Sequence, residues 1–537
     1  MASGNSLNSI PQFTLYDLVD GMNAQKGQLA VHVSNANRAN VPGATGLTTT
    51  LTEDSSRRIV LNVLRRADEI QNGVVRNAHS LVEQDKTVNK WLALLMDGLV
   101  APQIDVEGAG DTRMIPAAWE KLKLALEAFE KDAAAPGGKE QVLQACKDVA
   151  AAVRNAANVI VDTRAKVKDD AKTKVDRINE LLKGIGELNK RIANHSGSTE
   201  ALCVMKDQRD QKLTELAGLI KIEVIHDTPD PNHNPDIKTC EVFIAAKTGL
   251  THRSNQPGNA VPAHRKLVDK DGGTMTFSWD AANGRVDAWE INDPNRGVAG
   301  RGIGDQNAPH LVVGADRSAS SFSWFLRRNG GALAADLCVL DSRAGQAPVK
   351  ETIAGFRGLG EYELALNTFV NSLVAQFDGL DHNQVFGSSQ LFALGPVPPP
   401  PAPQLTDFCV NPDFANTPQH LDPASANPLV QALTAVAPRL DPHGGNANPP
   451  QRTFEDFWRQ LCVEGLGRDE ERQQETQKVD EAYLHDTEQI RNAYSSIDPN
   501  QEEEEIAKIV SYLNFQQNIL QLLLTMYGWA AKLLERI

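Results

Sequence analysis

At 537 residues the chain is long enough for two to four domains and a sizeable core. Its hydrophobic share of 41% and aromatic share of 5% suit long helices packed through Ala and Val better than a thick globular core. A net charge of −15 argues against nucleic acid as a partner and favours solubility.

The opening MASGNSLNSIPQF lacks a basic start and a long apolar stretch, so no cleaved signal peptide is expected. A first helix is predicted from near Pro11 to the break at NVPGATG, where Pro42 and Gly43 stop it. Leu15, Leu18, Met22, Gln25, Leu29, His32 and Ala36 alternate three and four apart, which is a heptad seam. Gly21 and Gly27 weaken this helix, and alone it is marginal in water, so it needs a partner. His32 in the stripe reads as a register-setting polar residue.

A long helical region is predicted over about 54–222. SSRRIVLNVLRRADEIQNGVVRNAHSLVEQDKTVNKWLALLMDGLV reads as helix with a break near Gly73, and IPAAWEKLKLALEAFEKD as a second helix ended by AAAPGG. From KEQVLQ to ANHS no proline interrupts the pattern. Val153, Ile160 and Val167 are seven apart, as are Ile178, Ile185 and Ile192, with a step of eleven between the sets. Such a helix is too long to be wrapped by a small core and reads as a rod.

From about 223 to 350 the chain turns rich in Gly, Pro, Asn and Asp, with short alternating runs. DKDGGTMTFSWDAANGRVDAWEI is a hairpin signature turning at Asn283-Gly284. Helix returns at YELALNTFVNSLVAQFDGL. GPVPPPPAPQ is an extended polyproline spacer, and helix runs again from RTFEDFWRQLCVEGLG to about Tyr494. The last helix starts at Asp498-Pro499, with Glu502 to Glu505 in its first turns, where the helix dipole favours acids. Ile506, Ile509, Leu513, Gln516, Leu520, Leu523, Tyr527, Ala530, Leu534 and Ile537 form a second heptad seam. Ile519–Leu534 is shorter than the ~20 residues that span a bilayer and carries Gln521 and Lys532, so no membrane partner is expected. Val19, Val33, Val510, Leu522 and Leu524 lie off the main stripes and leave apolar surface that one partner helix does not cover.

No constellation of catalytic type emerges. His226, Asp227, Asp230, His233 and Asp236 share a proline-bearing loop with no fixed geometry, which reads as a polar connector rather than a metal site. Gly300, Gly302 and Gly304 lack the strand before and the helix after that a phosphate cradle needs. No G-x-S-x-G or H-E-x-x-H occurs. Cys146, Cys203, Cys240, Cys338, Cys409 and Cys462 are scattered without a C-x-x-C pair and read as buried free thiols, with a disulfide in the β insert as the alternative. The expectation is therefore a protein without catalytic residues, cofactor or metal.

The order of several motifs resembles the flagellar hook-associated protein 1 family, the first hook–filament junction proteins. That family follows its first helix with a run like N-I-A-N-x-N-T-P-G-Y. Here NANRANVPGA keeps Asn35, Asn40, Pro42 and Gly43 and departs at Ala36, Arg38, Val41 and Ala44. IGELNKRIA followed by KDQRDQKLTEL resembles the family's long helix and D-Q-R-D turn, at Asp207 to Asp210. Phe369 to Phe392 and the closing RTFEDFWRQL and IDPNQEEEEIAKIVSYLNFQQNILQLLLTMYG resemble its later signatures, with the paired Gln and aromatic residues only partly kept as Phe515-Gln516-Gln517. The β insert shows no specific match.

The resemblance implies a structural, non-enzymatic subunit exported unfolded to the bacterial flagellum, outside the cell. It would self-assemble into a ring with the hook protein and the second junction protein as neighbours, and an export chaperone would mask its last helix. Another axial protein of hook or distal-rod type, or a coiled-coil or membrane-active adaptor, is the alternative. The predicted fold is mainly α with a β-rich insert: terminal helices paired as a coiled coil, a long helical rod-like domain and a distal β domain. Residues 1–45 and 498–537 would form the inner domain, 46–222 and 351–497 the middle one, and 223–350 the outer insert. The assembly seam would comprise Leu15, Leu18, Met22, Leu29, Ile506, Ile509, Leu513, Leu520, Leu523, Tyr527, Leu534 and Ile537.

Overall fold

The computed structural model describes residues 11–41, 44–53, 59–99, 114–195, 199–226, 239–244, 266–281, 285–289, 326, 329–340, 358–378, 392–394, 408–410, 430–431, 453–459 and 465–534. The elements in chain order are α1 (Pro11–Arg38), β1 (Leu47–Glu53), β2 (Ile59–Arg65), α2 (Glu69–Leu99), α3 (Ile115–Lys131), α4 (Gly138–Ala193) and α5 (Thr199–Leu219). Next come β3 (Ile222–His226), β4 (Cys240–Ile244), β5 (Lys266–Val268), β6 (Thr276–Asp280), β7 (Arg285–Trp289), α6 (Ala332–Val339) and α7 (Leu359–Asp378). The chain continues with β8 (Phe392–Leu394), β9 (Phe408–Val410), α8 (Phe454–Trp458), α9 (Gly467–Ser495) and α10 (Pro499–Leu534).

The rod is α4, whose 56 residues extend about 84 Å at the usual helical rise. Val153, Ile160, Val167, Ile178, Ile185 and Ile192 are all buried, as their spacing predicts. The step of eleven has a physical meaning. Up to Val167 the helix feeds a core built with α2, α3, α7, β9 and α8, where the rings of Trp119, Phe369, Phe454, Phe457 and Trp458 pack together. From Ala171 onward it feeds a second core built with α5 and the strands. The stutter is where one helix face passes between two sets of neighbours.

Strands β3, β4 and β5 form one antiparallel sheet, and β6 and β7 the expected hairpin, pairing Thr276 with Trp289 and Asp280 with Arg285. Asn283-Gly284, the predicted turn of that hairpin, lies outside the described residues, as do the polyproline spacer and Gly300, Gly302 and Gly304. Strands β3 to β7 lie along the C-terminal half of α4 and share its core. The insert also contains α6, a helix buried at every residue and packed on α2, α4 and α5. Its Asp336 accepts from Trp91 Nε1 at 2.8 Å and from Lys174 Nζ at 2.5 Å. Burial lifts the Asp336 carboxyl to about 6 against the pull of Lys174.

The turn before β6 presses on α4 so closely that both contact points are glycine. A Cβ on Gly186 would fall 2.7 Å from the Gly272 carbonyl oxygen, and Gly272 itself has a φ of +80°. Gly186→Ala is therefore expected to cost about 1–3 kcal/mol in chemical denaturation, the range for forced overpacking. Gly73 is the control. The predicted break there does not occur, because α2 runs through it with nothing within 4 Å of an added Cβ. Gly73→Ala should stabilise by about 0.5–1 kcal/mol.

The largest departure from the sequence reading is at 47–65. The helix expected from about 54 is instead the second strand of an antiparallel hairpin, pairing Leu47 with Arg65 and Glu53 with Ile59. Four threonines in β1 and the run IVLNV in β2 favour an extended backbone. Alternation then turns Leu61, Val63 and Arg65 toward one side. Leu61 fills the space that a Cβ on Gly27 of α1 would need, and Val63 packs on the Val31–Leu47–Cys203 cluster. Helix α2 begins only after Asp68, whose Oδ1 accepts from the amides of Ile70 and Gln71.

Candidate functional site

The first and last helices meet. α1 and α10 pack antiparallel: Gly21 faces Gln516, and His32 Nδ1 lies 2.5 Å from Glu502 Oε2. Asp498 starts α10 as expected, its Oδ1 accepting from the amides of Asn500 and Gln501. Along the seam Met22 and Leu513 are buried, and Leu18, Leu29, Ile506, Ile509, Leu520 and Leu523 are half-buried. The side chains of Leu15, Tyr527 and Leu534, and all of Ile537, lie outside the described residues. No helix among the described residues is long and apolar enough to cross a membrane.

Beneath this pair a buried polar joint ties it to the helical body. Asn35 grips the backbone of Leu47 twice, donating to its carbonyl and accepting from its amide, each at 2.9 Å. The same amide group donates to Glu502 Oε1 at 3.0 Å. One asparagine thus joins α1, β1 and α10. On α5, Asp207 accepts from Arg38, from the amide and hydroxyl of Thr45, and from Arg65 Nε at 2.7 Å. Arg65 Nη2 reaches on to Asp210 at 2.5 Å. Burial alone would lower the Arg65 guanidinium, but Asp210 and Asp207 outweigh it and hold it more firmly charged than usual. At the edge of the joint Glu69 pairs with His226 Nε2 at 2.9 Å. Burial works against the Glu69 charge, yet His226 and Arg65 hold its carboxyl down to about 2.

His226 is thus an ion-pair partner, while Asp227, Asp230, His233 and Asp236 lie outside the described residues. Among the described residues no three metal-binding side chains gather. Cys146, Cys203 and Cys240 are buried free thiols; Cys338 is buried and Cys409 half-buried, and Cys462 lies outside the described residues. Sequence reasoning missed Arg65 and Thr45, read Glu502 only as a helix-dipole acid, and picked out Asn35, Asp207 and Asp210 only through the resemblance. The structure brings those last three into one joint.

The outer face of α10 carries a second stripe. Tyr512, Phe515, Ile519, Leu522, Met526 and Trp529 again alternate three and four apart, about 100° around the helix from the first seam. All but Ile519 are exposed, Leu522 by 64% and Trp529 by 71%. Val33, Val510 and Leu524 are exposed too.

Residues 103–282 match a family model described as the flagellar hook-associated protein FlgK helical domain. Among curated proteins nothing matches the chain. A solved structure of the flagellar hook junction protein FlgK from Burkholderia pseudomallei is similar at 17% identity and a TM-score of 0.38, over 60% of this chain and 47% of that one. The match thus spans less than half of that protein's length. Over residues 103–282 the chain is thus similar to the helical domain of the flagellar hook-associated protein FlgK, the family that its motifs resemble.

Proposed function

We propose that the chain is a structural, non-enzymatic subunit of the bacterial flagellum that forms the junction ring between hook and filament by self-assembly of its terminal helices. The observation that carries this reading is the second heptad stripe on α10. The first stripe is used within the chain, and the other faces outward over about five helical turns. Monomeric proteins seldom leave a patch of that size uncovered. Each of its large side chains contributes about 1.5–3 kcal/mol when buried, enough to drive association between copies.

In this reading α1 and α10 form the inner layer and the long helices a middle one, with the hook protein and the second junction protein as axial neighbours. The chain is exported to the cell exterior, and an export chaperone covers the outward face of α10 beforehand. The terminal helices are loosely held in the free subunit and become ordered on assembly, which prevents premature polymerisation. Two experiments test this. Labelled protein should be imaged at the hook–filament boundary; a location elsewhere on the cell overturns the assignment. Amide hydrogen exchange on dilute monomer should show weaker protection in α1 and α10 than in α4; protection of both ends as strong as that of α4 refutes ordering on assembly.

A further inference from the structure

Helix α9 buries its polar side and exposes its apolar one. It runs antiparallel along α2: Gln473 Nε2 donates to Asp85 Oδ1 at 2.6 Å, and past the start of α2 the Gly46 amide donates to the Ser495 carbonyl at 2.8 Å. Its buried residues are Asp469, Gln473, Thr487 and Ser495. None of its side chains joins an apolar cluster of the described residues. On the exposed side Val479, Tyr483, Asp486, Ile490 and Ala493 alternate four and three apart, about 100° around the helix from the buried set. Val479 is 67% exposed and Ile490 56%. Facing water, such a stripe adds nothing to the stability of the isolated chain.

The chain thus shows two unused heptad stripes. That on α9 runs about 21 Å from Val479 to Ala493, and that on α10 about 26 Å from Tyr512 to Trp529. Among the described residues there is no third. Between Ile70 and α9 the exposed large apolar side chains are Leu124 on α3 and Val161 on α4. Leu51, Ile59 and Leu64 belong to the two-stranded hairpin, where alternation sets Leu64 on the face opposite Leu51 and Ile59. Val33, Val41 and Ile70 each lie on a different element.

Three pairings between copies are open, and the residues decide among them. Asp486 bars α9 from pairing with itself. It stands at the centre of its stripe, so either a parallel or a two-fold contact sets one Asp486 carboxylate against the other, with no cation in the stripe to part them. Pairing α10 with itself closes at two copies and leaves the α9 stripe bare. Pairing α10 with α9 of another copy covers both. Residues 509–531 carry no charged side chain, so nothing there repels Asp486. Asn518, exposed beside the middle of the α10 stripe, brings an amide donor for it.

We propose that the outward stripe of α10 docks on the outward stripe of α9 in the next copy, a head-to-tail contact in which every subunit offers one stripe and receives the other. Two different surfaces on one chain generate a ring or a helical array rather than a closed pair. The inference rests on the reading of α10 as the assembly surface and adds what that surface meets. The area suffices. Tyr512, Phe515 and Trp529 each expose more than half of a ring side chain worth about 150–250 Å², and with Leu522 and Met526 they approach the roughly 800 Å² per partner of a standard interface.

Complementation between two full-length variants tests the contact, read by sedimentation at concentrations where the wild type associates. One variant carries Leu522→Glu with Met526→Glu on α10, the other Tyr483→Glu with Ile490→Glu on α9. All four side chains are exposed, and circular dichroism checks that each variant keeps its helices. Each alone should sediment as a monomer. Mixed in equal amounts they should form a pair with the mass of two chains and nothing larger, because the intact α10 stripe of the second fits the intact α9 stripe of the first. Should a double variant lose its helices, Leu522→Lys and Ile490→Lys carry the same test. An α9 variant that associates as the wild type does, or a mixture that stays monomeric, overturns the head-to-tail contact and leaves the reading of α10 standing. A wild type that stays monomeric up to its solubility limit, or an α10 variant that associates, overturns that reading and the contact with it.

Discussion

Replacing Asp207 by Ala should destabilise the joint by about 3–5 kcal/mol and detach the terminal pair from the helical body. Four donors converge on this carboxylate: one from Arg38, two from Thr45 and one from Arg65. Its removal leaves the Arg38 guanidinium and the Thr45 amide without their acceptor in a site that water scarcely reaches. Arg65 keeps Asp210, so the network weakens without vanishing. Asp207→Asn is the finer probe, because it keeps the shape and removes the charge. It should lose less than Ala if packing matters, and as much if the ion pairs dominate. The measurement is chemical denaturation together with hydrogen exchange in α1 and β1, which should lose protection ahead of α4. Arg177→Ala is the control, since its pairs with Glu180 and Glu215 are exposed and should be worth within about 1 kcal/mol. Equal losses at Asp207 and Arg177 would show that the joint is not what fastens the ends.

That joint was only partly legible beforehand, for identifiable reasons. Heptad spacing reports a helix and the face it buries, so α1, α4 and α10 could be read from Leu18, Ile160 and Leu513 without knowing what they touch. The hairpin was lost because IVLNVLR satisfies two periods at once: Val60, Val63 and Leu64 fit a helix face, and Leu61, Val63 and Arg65 fit a strand face. Only contact with α1, through Leu61 over Gly27, decides between them. The joint draws on residues 35, 45, 65, 207 and 502, which no local pattern connects. Family likeness pointed to Asn35 and Asp207 without saying that they serve one purpose. What the β strands pack against was hidden for a similar reason. Alternation in CEVFI shows a strand with a buried face, but the identity of the opposing surface, here α4, is a matter of tertiary packing.

A double substitution on the outward stripe, Leu522→Glu with Met526→Glu, should abolish assembly while leaving the subunit folded. Both side chains are exposed and lie off the first seam, so the cost to the isolated chain is that of surface changes, within about 0.5 kcal/mol each. In an interface the same two carboxylates would be buried without partners, at several kcal/mol each, and copies related by symmetry repeat the cost around a ring. The variant should keep the circular dichroism of the wild type, sediment as a monomer at concentrations where the wild type associates, and fail to cap isolated hooks. Leu513→Glu separates the two stripes. Leu513 is buried against α1, so a charge there should strip protection from both terminal helices in the monomer, whatever happens to assembly. The two faces of α10 therefore make distinguishable demands. In the proposed assembly the inner face decides whether the chain ends hold together, and the outer face whether one subunit holds the next. If the double variant assembles as the wild type does, the outward stripe is not the surface by which copies join, and the reading built on it fails.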